Sequence, residues 1–474
     1  MSNQHTRRDL VKLASAGLAA LTQTAASRGQ TSVEVGGEIA VRVTSGTKRF
    51  AQEPPVRWQP ERGSSAGSIV VDPGRSFQEI LGFGAAFTDA ACYMFQQLSP
   101  ASREELFRDL FHPSEMGFNV CRICVGSSDY ANKVYSYDEV EPDPELRRFS
   151  IEHDQQYIIP MLRLGRSVNP DLFLLASPWS PPGWMKAGGS MLGGSMREKY
   201  FPAYARYFAK FLQAYSDAGV PIQAVSVQNE VDTDQDGRMP ACLWGQEYEM
   251  GFVAGHLGPL FAREKIGTKI WILDHNYNLW GRAICELDDP KVRQHVDGVA
   301  WHGYVGRDSA MTRVHEAHPD KHAYWTEGGP DFRDPHYQTD WTQWGATFAG
   351  ILRNWARCII GWNLALDEAG RPNIGPFGCG GLVTIDSRTK AITRSGMYWA
   401  FAHYSRAIRR GARRLESSSG LAGVSHVAFA NPDGTLAVVL TNAGADRRVL
   451  VRMSGMEAEV NLAGDSIATL TWRS

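Results

Sequence analysis

The sequence has no run of apolar residues near the ~20 that a membrane-crossing helix needs, so no transmembrane segment is predicted. Its seven cysteines are odd in number and lack framework spacing, which excludes a disulfide-stapled fold. Cys121 and Cys124 form a CxxC, yet they lie in a strand-like run over residues 118–125. Residues three apart on a strand face opposite ways and cannot grip one metal, so buried free thiols are the expectation. Lys plus Arg total 49 against 51 for Asp plus Glu, which leaves no basic field for nucleic acid. HExxH, a P-loop and GxGxxG after a strand are all missing, and no GxSxG stands at a strand-to-helix elbow. Their absence removes zincin, P-loop, dinucleotide and α/β-hydrolase chemistry. The histidines show no ligand spacing, so neither a metal nor a cofactor is expected. No residue pattern speaks to oligomeric state.

What is present begins with an address. Thr6-Arg7-Arg8-Asp9-Leu10-Val11-Lys12 has the twin-arginine pattern, a short apolar run follows over 13–21, and Ala25-Ala26-Ser27 offers a cleavage site. Residues 1–29 therefore read as a signal peptide, and a periplasmic or secreted location is expected. Over 30–68, Val33, Val35, Ile39, Val41 and Val43 recur at strand spacing around the turn Gly36-Gly37. A polar, proline-bearing stretch over 52–65 comes next.

From residue 69 to 410, short apolar runs alternate with amphipathic helices. Runs over 80–86, 119–125, 172–177 and 224–227 read as barrel strands one to four. Those over 270–273, 298–301, 323–325 and 358–362 supply strands five to eight. Residues 200–218 are the clearest helix: Tyr204, Tyr207, Phe208, Phe211, Leu212 and Tyr215 share one face and Gly219-Val220-Pro221 stops it. Five strand-like runs fill 411–474, with Asn431-Pro432-Asp433-Gly434 as a strong turn. The expected fold class is α/β, a (β/α)₈ barrel with an all-β sandwich side domain built from both chain ends.

Glu230 closes Ala224-Val225-Ser226-Val227-Gln228-Asn229-Glu230, and Glu327 follows Ala323-Tyr324-Trp325-Thr326. A strand-end acid can simply cap the next helix. Two of them at one barrel rim can instead face each other across a sugar, the working pair of most glycoside hydrolases. One acid must then carry a proton while the other stays ionised. Glu230 is assigned as general acid/base and Glu327 as nucleophile, with the carboxyls expected about 5–5.5 Å apart. Asn229 is placed to hold a sugar 2-hydroxyl, and Gly328-Gly329 to leave room for a ring. Arg122 is placed to keep a carboxylate ionised by pairing, and Asp129 to accept from sugar hydroxyls. Trp179 and Trp362 offer indoles for a sugar platform, and His302 and Tyr304 hydrogen bonds to Glu327 or a hydroxyl. Each has a plainer structural reading: an ion pair, an Asx turn or core packing.

Ordered motifs then point to a family. Gly82-Phe83-Gly84-Ala85-Ala86-Phe87-Thr88-Asp89-Ala90, Ala176-Ser177-Pro178-Trp179-Ser180-Pro181-Pro182-Gly183-Trp184, Gln228-Asn229-Glu230, Val296-Asp297-Gly298-Val299-Ala300-Trp301-His302 and Trp362-Asn363-Leu364-Ala365-Leu366-Asp367 occur in sequence. From about residue 69 onward the chain resembles glycoside hydrolase family 30, near its glucosylceramidase branch. The resemblance implies retaining hydrolysis of β-glycosides, with the acid/base on Glu230 and the nucleophile on Glu327. It implies sugar contacts at Asp129, Trp179, Asn229 and Trp362, with Arg122, His302 and Tyr304 around the nucleophile. Phe377 stands where the human-type enzyme has a glucose-binding asparagine, which leaves sugar and aglycone preference open. The leading expectation is an exported β-glucosidase acting on a β-glycoside or glycolipid. β-1,6-Glucanase, β-xylosidase and β-fucosidase activities occur in the same family. A carbohydrate-binding protein without catalysis is the alternative of another class, and the presence of both glutamates speaks against it.

Overall fold

The computed structural model of the chain describes residues 37–63, 67–139 and 141–473. The signal-peptide reading over 1–29, and Val33, Val35 and Gly36, lie outside them. Eight parallel strands close into a barrel. Strands one to four are Gly82–Phe87, Val120–Cys124, Phe173–Ser177 and Ala224–Ser226. Strands five to eight are Lys269–Asn276, Val296–His302, His322–Glu327 and Ala356–Gly361. Strand one closes the ring against strand eight, with Cys358 opposite Gly82 and Gly361 opposite Ala85.

Period-two alternation sorts each strand between two environments. Val120 faces the barrel axis with Phe173, Leu175, Trp271, Ala300 and Tyr324, while Cys121, Ile123, Leu174 and Ala176 face the surrounding helices. Cys124, on the axial side, joins a different cluster from Cys121, so the two thiols do point apart. Trp271 and Tyr324 stack at 3.7 Å and plug the barrel below the rim. The aromatic helix is Phe201–Asp217, burying Tyr204, Tyr207, Phe208, Phe211, Leu212 and Tyr215. It ends where Gly219 takes φ 76°, a left-handed conformation glycine adopts without strain.

The all-β module joins ten strands. Glu38–Ser45 pairs with the C-terminal strand Ser466–Arg473, so both ends of the chain build it. Two elements differ from the sequence reading. The proline-bearing stretch is a strand, Lys48–Arg57, which among the described residues pairs only with Glu38–Ser45 on that flank of the sheet. Proline is tolerated there because an edge strand leaves one row of N–H groups unused. Ser68–Glu79, placed with the barrel by its apolar start, instead pairs with Arg413–Ser419 and Arg447–Met453 in the sandwich.

Barrel and sandwich are joined through helices Trp341–Arg353 and Gly396–Ser405. His403 bonds Thr469 and Thr44, each at 2.8 Å. Six of the seven cysteines are buried or half-buried; Cys285 is exposed. Among the described residues no helix is long and apolar enough to cross a membrane.

Candidate active site

Arg122 stands on the axial face of strand two, fully buried above the aromatic plug. Its Nη1 pairs with Glu327, while Nη2 donates to Asp274 Oδ2 and Asn229 Oδ1, both at 2.7 Å. Nε donates to Ser177 at 3.0 Å, and the guanidinium lies 4.7 Å over the Trp179 ring. Burial alone would lower its pKa, but Asp274 and then Glu327 outweigh that and raise it.

Asp274 is the hub that residue patterns did not single out. It accepts from Ser226 (2.5 Å), Ser177 (2.8 Å), Thr326 (2.7 Å) and His302 Nε2 (3.1 Å). Burial pushes its carboxyl up; Arg122 and His302 drive it far below the ordinary range. Its inward aim comes from a β-bulge. Leu273 pairs with Ala300 but His275 pairs with Trp301, so Asp274 is an extra residue in strand five. Leu273 and Asp274 both take positive φ, 71° and 45°, which costs non-glycine residues energy and re-aims the side chain. Strand seven does the same: Trp325 pairs with Trp301 and Glu327 with His302, leaving Thr326 extra.

Glu327, the last residue of strand seven, is held between Arg122 and the Tyr304 hydroxyl, which donates to Oε1 at 3.1 Å. Though Tyr304 as a whole is exposed, its hydroxyl end is enclosed beside Glu327; that burial, then the Glu327 charge, push the hydroxyl well up, so it stays a donor. Glu230 lies beyond strand four in a loop, with φ 55°. Its backbone N–H donates to the Asp274 carbonyl at 3.0 Å, and Gln235 donates to its Oε2 at 2.8 Å. Its Oε1 stands 3.4 Å from His302 Nδ1 and 3.7 Å from His275 Nδ1. Burial raises the Glu230 carboxyl, but His302, His275 and Gln235 outweigh it and the net shift is downward. Burial lowers the His302 imidazole, yet Glu327, Asp274 and Glu230 bring it up to about 9. The downward shift of Glu230 and the upward shift of His302 are the two sides of one ion pair.

Asp129, Trp179, Asn229, Glu230, Tyr304, Glu327 and Trp362 share a cavity of about 580 Å³, a size suited to a small ligand. Arg122 and His302 do not line it. His302 is fully buried behind the two glutamates, its Nε2 being 3.8 Å from Glu327 Oε2, so of the two contacts open to it, Glu327 or a hydroxyl, it faces the acids. Trp179 and Trp362 stack on each other at 5.1 Å and 20° and form one wall of the cavity. Burial, then the charges of Glu327 and Glu230, raise the Asp129 carboxyl well above its usual value. The Gly328 reading also changes: a Cβ there would sit 2.3 Å from the Trp325 ring, so that glycine makes room for the protein's own indole. Gly329 does line the cavity, and Phe377, Tyr304 and Val305 are exposed at its mouth.

Gln235, His275 and Asn276 complete the site and were not anticipated. Asn276 accepts from the backbone N–H groups of Tyr304 and Val305, both at 3.1 Å, which sets the loop after strand six. The available signal was Asp274-His275-Asn276 following the apolar run of strand five, at the same rim as the other acids.

Residues 80–408 match the glycosyl hydrolase family 30 TIM-barrel domain, and residues 411–470 match that family's beta sandwich domain. The chain is 31% identical over 435 residues to the endo-1,6-beta-D-glucanase of Neurospora crassa, covering 88% of each chain. It is 28% identical over 442 residues to the lysosomal acid glucosylceramidase of Mus musculus, covering 88% of this chain and 85% of that one. The solved endo-beta1,6-glucanase BT3312 superposes with a TM-score of 0.84 at 28% identity, over 92% of this chain and 99% of that chain.

Proposed function

Because the chain belongs to glycosyl hydrolase family 30, we propose that it is a retaining β-glycosidase, with Glu327 as nucleophile and Glu230 as general acid/base. The observation that carries this reading is the asymmetry of the two carboxylates. Glu327 is clamped by a guanidinium and a phenol, the partners that aim a nucleophile. Among the described residues Glu230 meets no Arg or Lys; it meets an amide and two imidazoles and opens toward the cavity. One imidazole touches both acids, which favours the shorter of the two spacings glycosidases use, about 5–5.5 Å.

In the first step Glu327 attacks the anomeric carbon while Glu230 protonates the departing oxygen; in the second Glu230 deprotonates the water that releases the sugar. Glu230 must first gain its proton, and the His302 imidazolium beside it is the donor at hand. Asn229, held by Arg122, is placed at the sugar 2-hydroxyl; Asp129 and the Trp179–Trp362 wall take the rest of the ring. Arg122 and His302 act as positioning residues.

The proposed substrate is a terminal β-D-glucoside, glucolipids included, with the exposed mouth at Phe377, Tyr304 and Val305 receiving the aglycone. Endo-cleavage of β-1,6-glucan is the second reading, supported by the likeness to the N. crassa enzyme. The twin-arginine pattern supports export. Proton NMR of the first-formed sugar from an aryl β-glucoside should show the β-anomer; the α-anomer first would overturn retention. Product sizes from β-1,6-glucan separate the two substrate readings, glucose alone meaning exo-action and a ladder endo-action. Glu230→Gln and Glu327→Gln proteins as active as the wild type on the best substrate would refute the role assignment.

A further inference from the structure

His275 and His302 come from strands five and six, yet both aim Nδ1 at Glu230 Oε1, at 3.7 and 3.4 Å. Both Nδ1 atoms are buried without a hydrogen-bond partner. Each ring is fixed from behind, His275 Nε2 lying 2.5 Å from Asp232 Oδ1 and His302 Nε2 3.1 Å from Asp274 Oδ1. In a neutral imidazole a carboxylate on one nitrogen leaves the other with its lone pair forward, the outer-shell arrangement of histidine metal ligands; His302 therefore gives up the proton it holds beside Glu230 when a cation binds. The three donor atoms lie within 4.8 Å of one another. Donors bound to zinc at about 2.0–2.2 Å stand roughly 3.3–3.6 Å apart in a tetrahedron. The two contacts to Glu230 are already near that spacing, and the third, between the two imidazoles, lies within 4.8 Å and shortens when an ion draws the donors in. Glu230 and His275 face the cavity, so a water or buffer ligand can complete the shell.

We propose that Glu230, His275 and His302 form a three-donor site for a zinc-type divalent cation, which on binding blocks the acid/base carboxylate. Two imidazoles select zinc, nickel or copper over magnesium and calcium, which prefer all-oxygen shells. No bond to substrate is made or broken: the ion takes one lone pair from each donor, and any proton on those atoms leaves to solvent. The site stands on geometry alone; the blockade rests on the role proposed for Glu230.

The test is titration of the full-length protein with Zn²⁺, followed by calorimetry, beside turnover of an aryl β-glucoside. One Zn²⁺ per chain should bind, about tenfold or more weaker in His275→Ala and in Asp232→Asn, and unchanged in Cys285→Ser. Crystals soaked in Zn²⁺ should give an anomalous peak among the three donors, a check on the wild type that does not depend on how a variant folds. Unchanged affinity in His275→Ala, loss of binding in Cys285→Ser, or a peak elsewhere overturns the site. Zn²⁺ bound at the three donors with turnover unaffected overturns the blockade and the Glu230 assignment together, while leaving the metal site standing.

Discussion

Thr326 donates a hydrogen bond to Asp274 at 2.7 Å, and each is the extra residue of a bulge, in strands seven and five. The bulge in strand five turns Asp274 inward, whereas Thr326, two residues past the axial Tyr324, already faces in; their bond locks the two distortions together. Thr326→Val should cost about 1–3 kcal/mol, the penalty for taking a donor from a buried charged acceptor. Asp274→Asn should cost more, about 3–5 kcal/mol, because it strips Arg122 and His302 of a shared counter-charge. Urea unfolding measures both; equal losses in the two variants would show that Asp274 is not the hub.

Tyr304 is the neutral donor on Glu327. Tyr304→Phe removes that bond while keeping the ring, and kcat/KM on an aryl β-glucoside should fall about tenfold, as for one hydrogen bond to a charged group. Steady-state kinetics beside an unchanged thermal midpoint check this. A fall in stability with unaltered turnover would mean that the bond serves the fold and not the reaction.

Phe377 is 44% exposed at the cavity mouth. Phe377→Ala should raise KM for a substrate with a lipid or sugar aglycone by roughly tenfold, the worth of a half-buried aromatic contact. Methyl β-glucoside, which has nothing to reach the ring, should be turned over as before. Equal effects on both substrates would place Phe377 against the sugar itself.

His403 ties the barrel to the sandwich through Thr44 and Thr469. Burial, then Arg406, lower its imidazole from 6.5 to about 3. The folded protein therefore keeps it neutral where the unfolded chain binds a proton. This contribution to stability is complete above pH 6.5 and is lost as pH falls toward 3, with a slope of at most about 1.4 kcal/mol per pH unit. His403→Gln keeps polar partners for both threonines and cannot titrate, so its stability should fall less steeply between pH 7 and 5. Parallel curves for the two proteins would show that this histidine is not the titrating link.

Much of the site was legible because strand alternation is a local property. Apolar runs ending in Glu327, or followed shortly by Glu230, and an arginine at an axial position of strand two, are readable from neighbours within a few residues. The same periodicity separated Cys121 from Cys124. Asp274 was not legible, since a regular continuation of strand five gives no sign that one residue is inserted and turned inward. The sandwich strand Ser68–Glu79 was missed for a related reason: an apolar start reads alike in a barrel and in a sheet, and only its partners decide.

By itself, the order of residues determined where strands and helices form, which faces are apolar and which acids reach the rim, because these follow from spacing along one chain. Tertiary structure decided which groups share a proton or a charge. Glu230, His302, Asp274 and Arg122 come from four different strands or the loops that follow them, and their pairing depends on barrel closure and two bulges. Electrostatic energy inside a low-dielectric core varies with distances of a few ångströms, and those distances exist only once the ring of strands has closed.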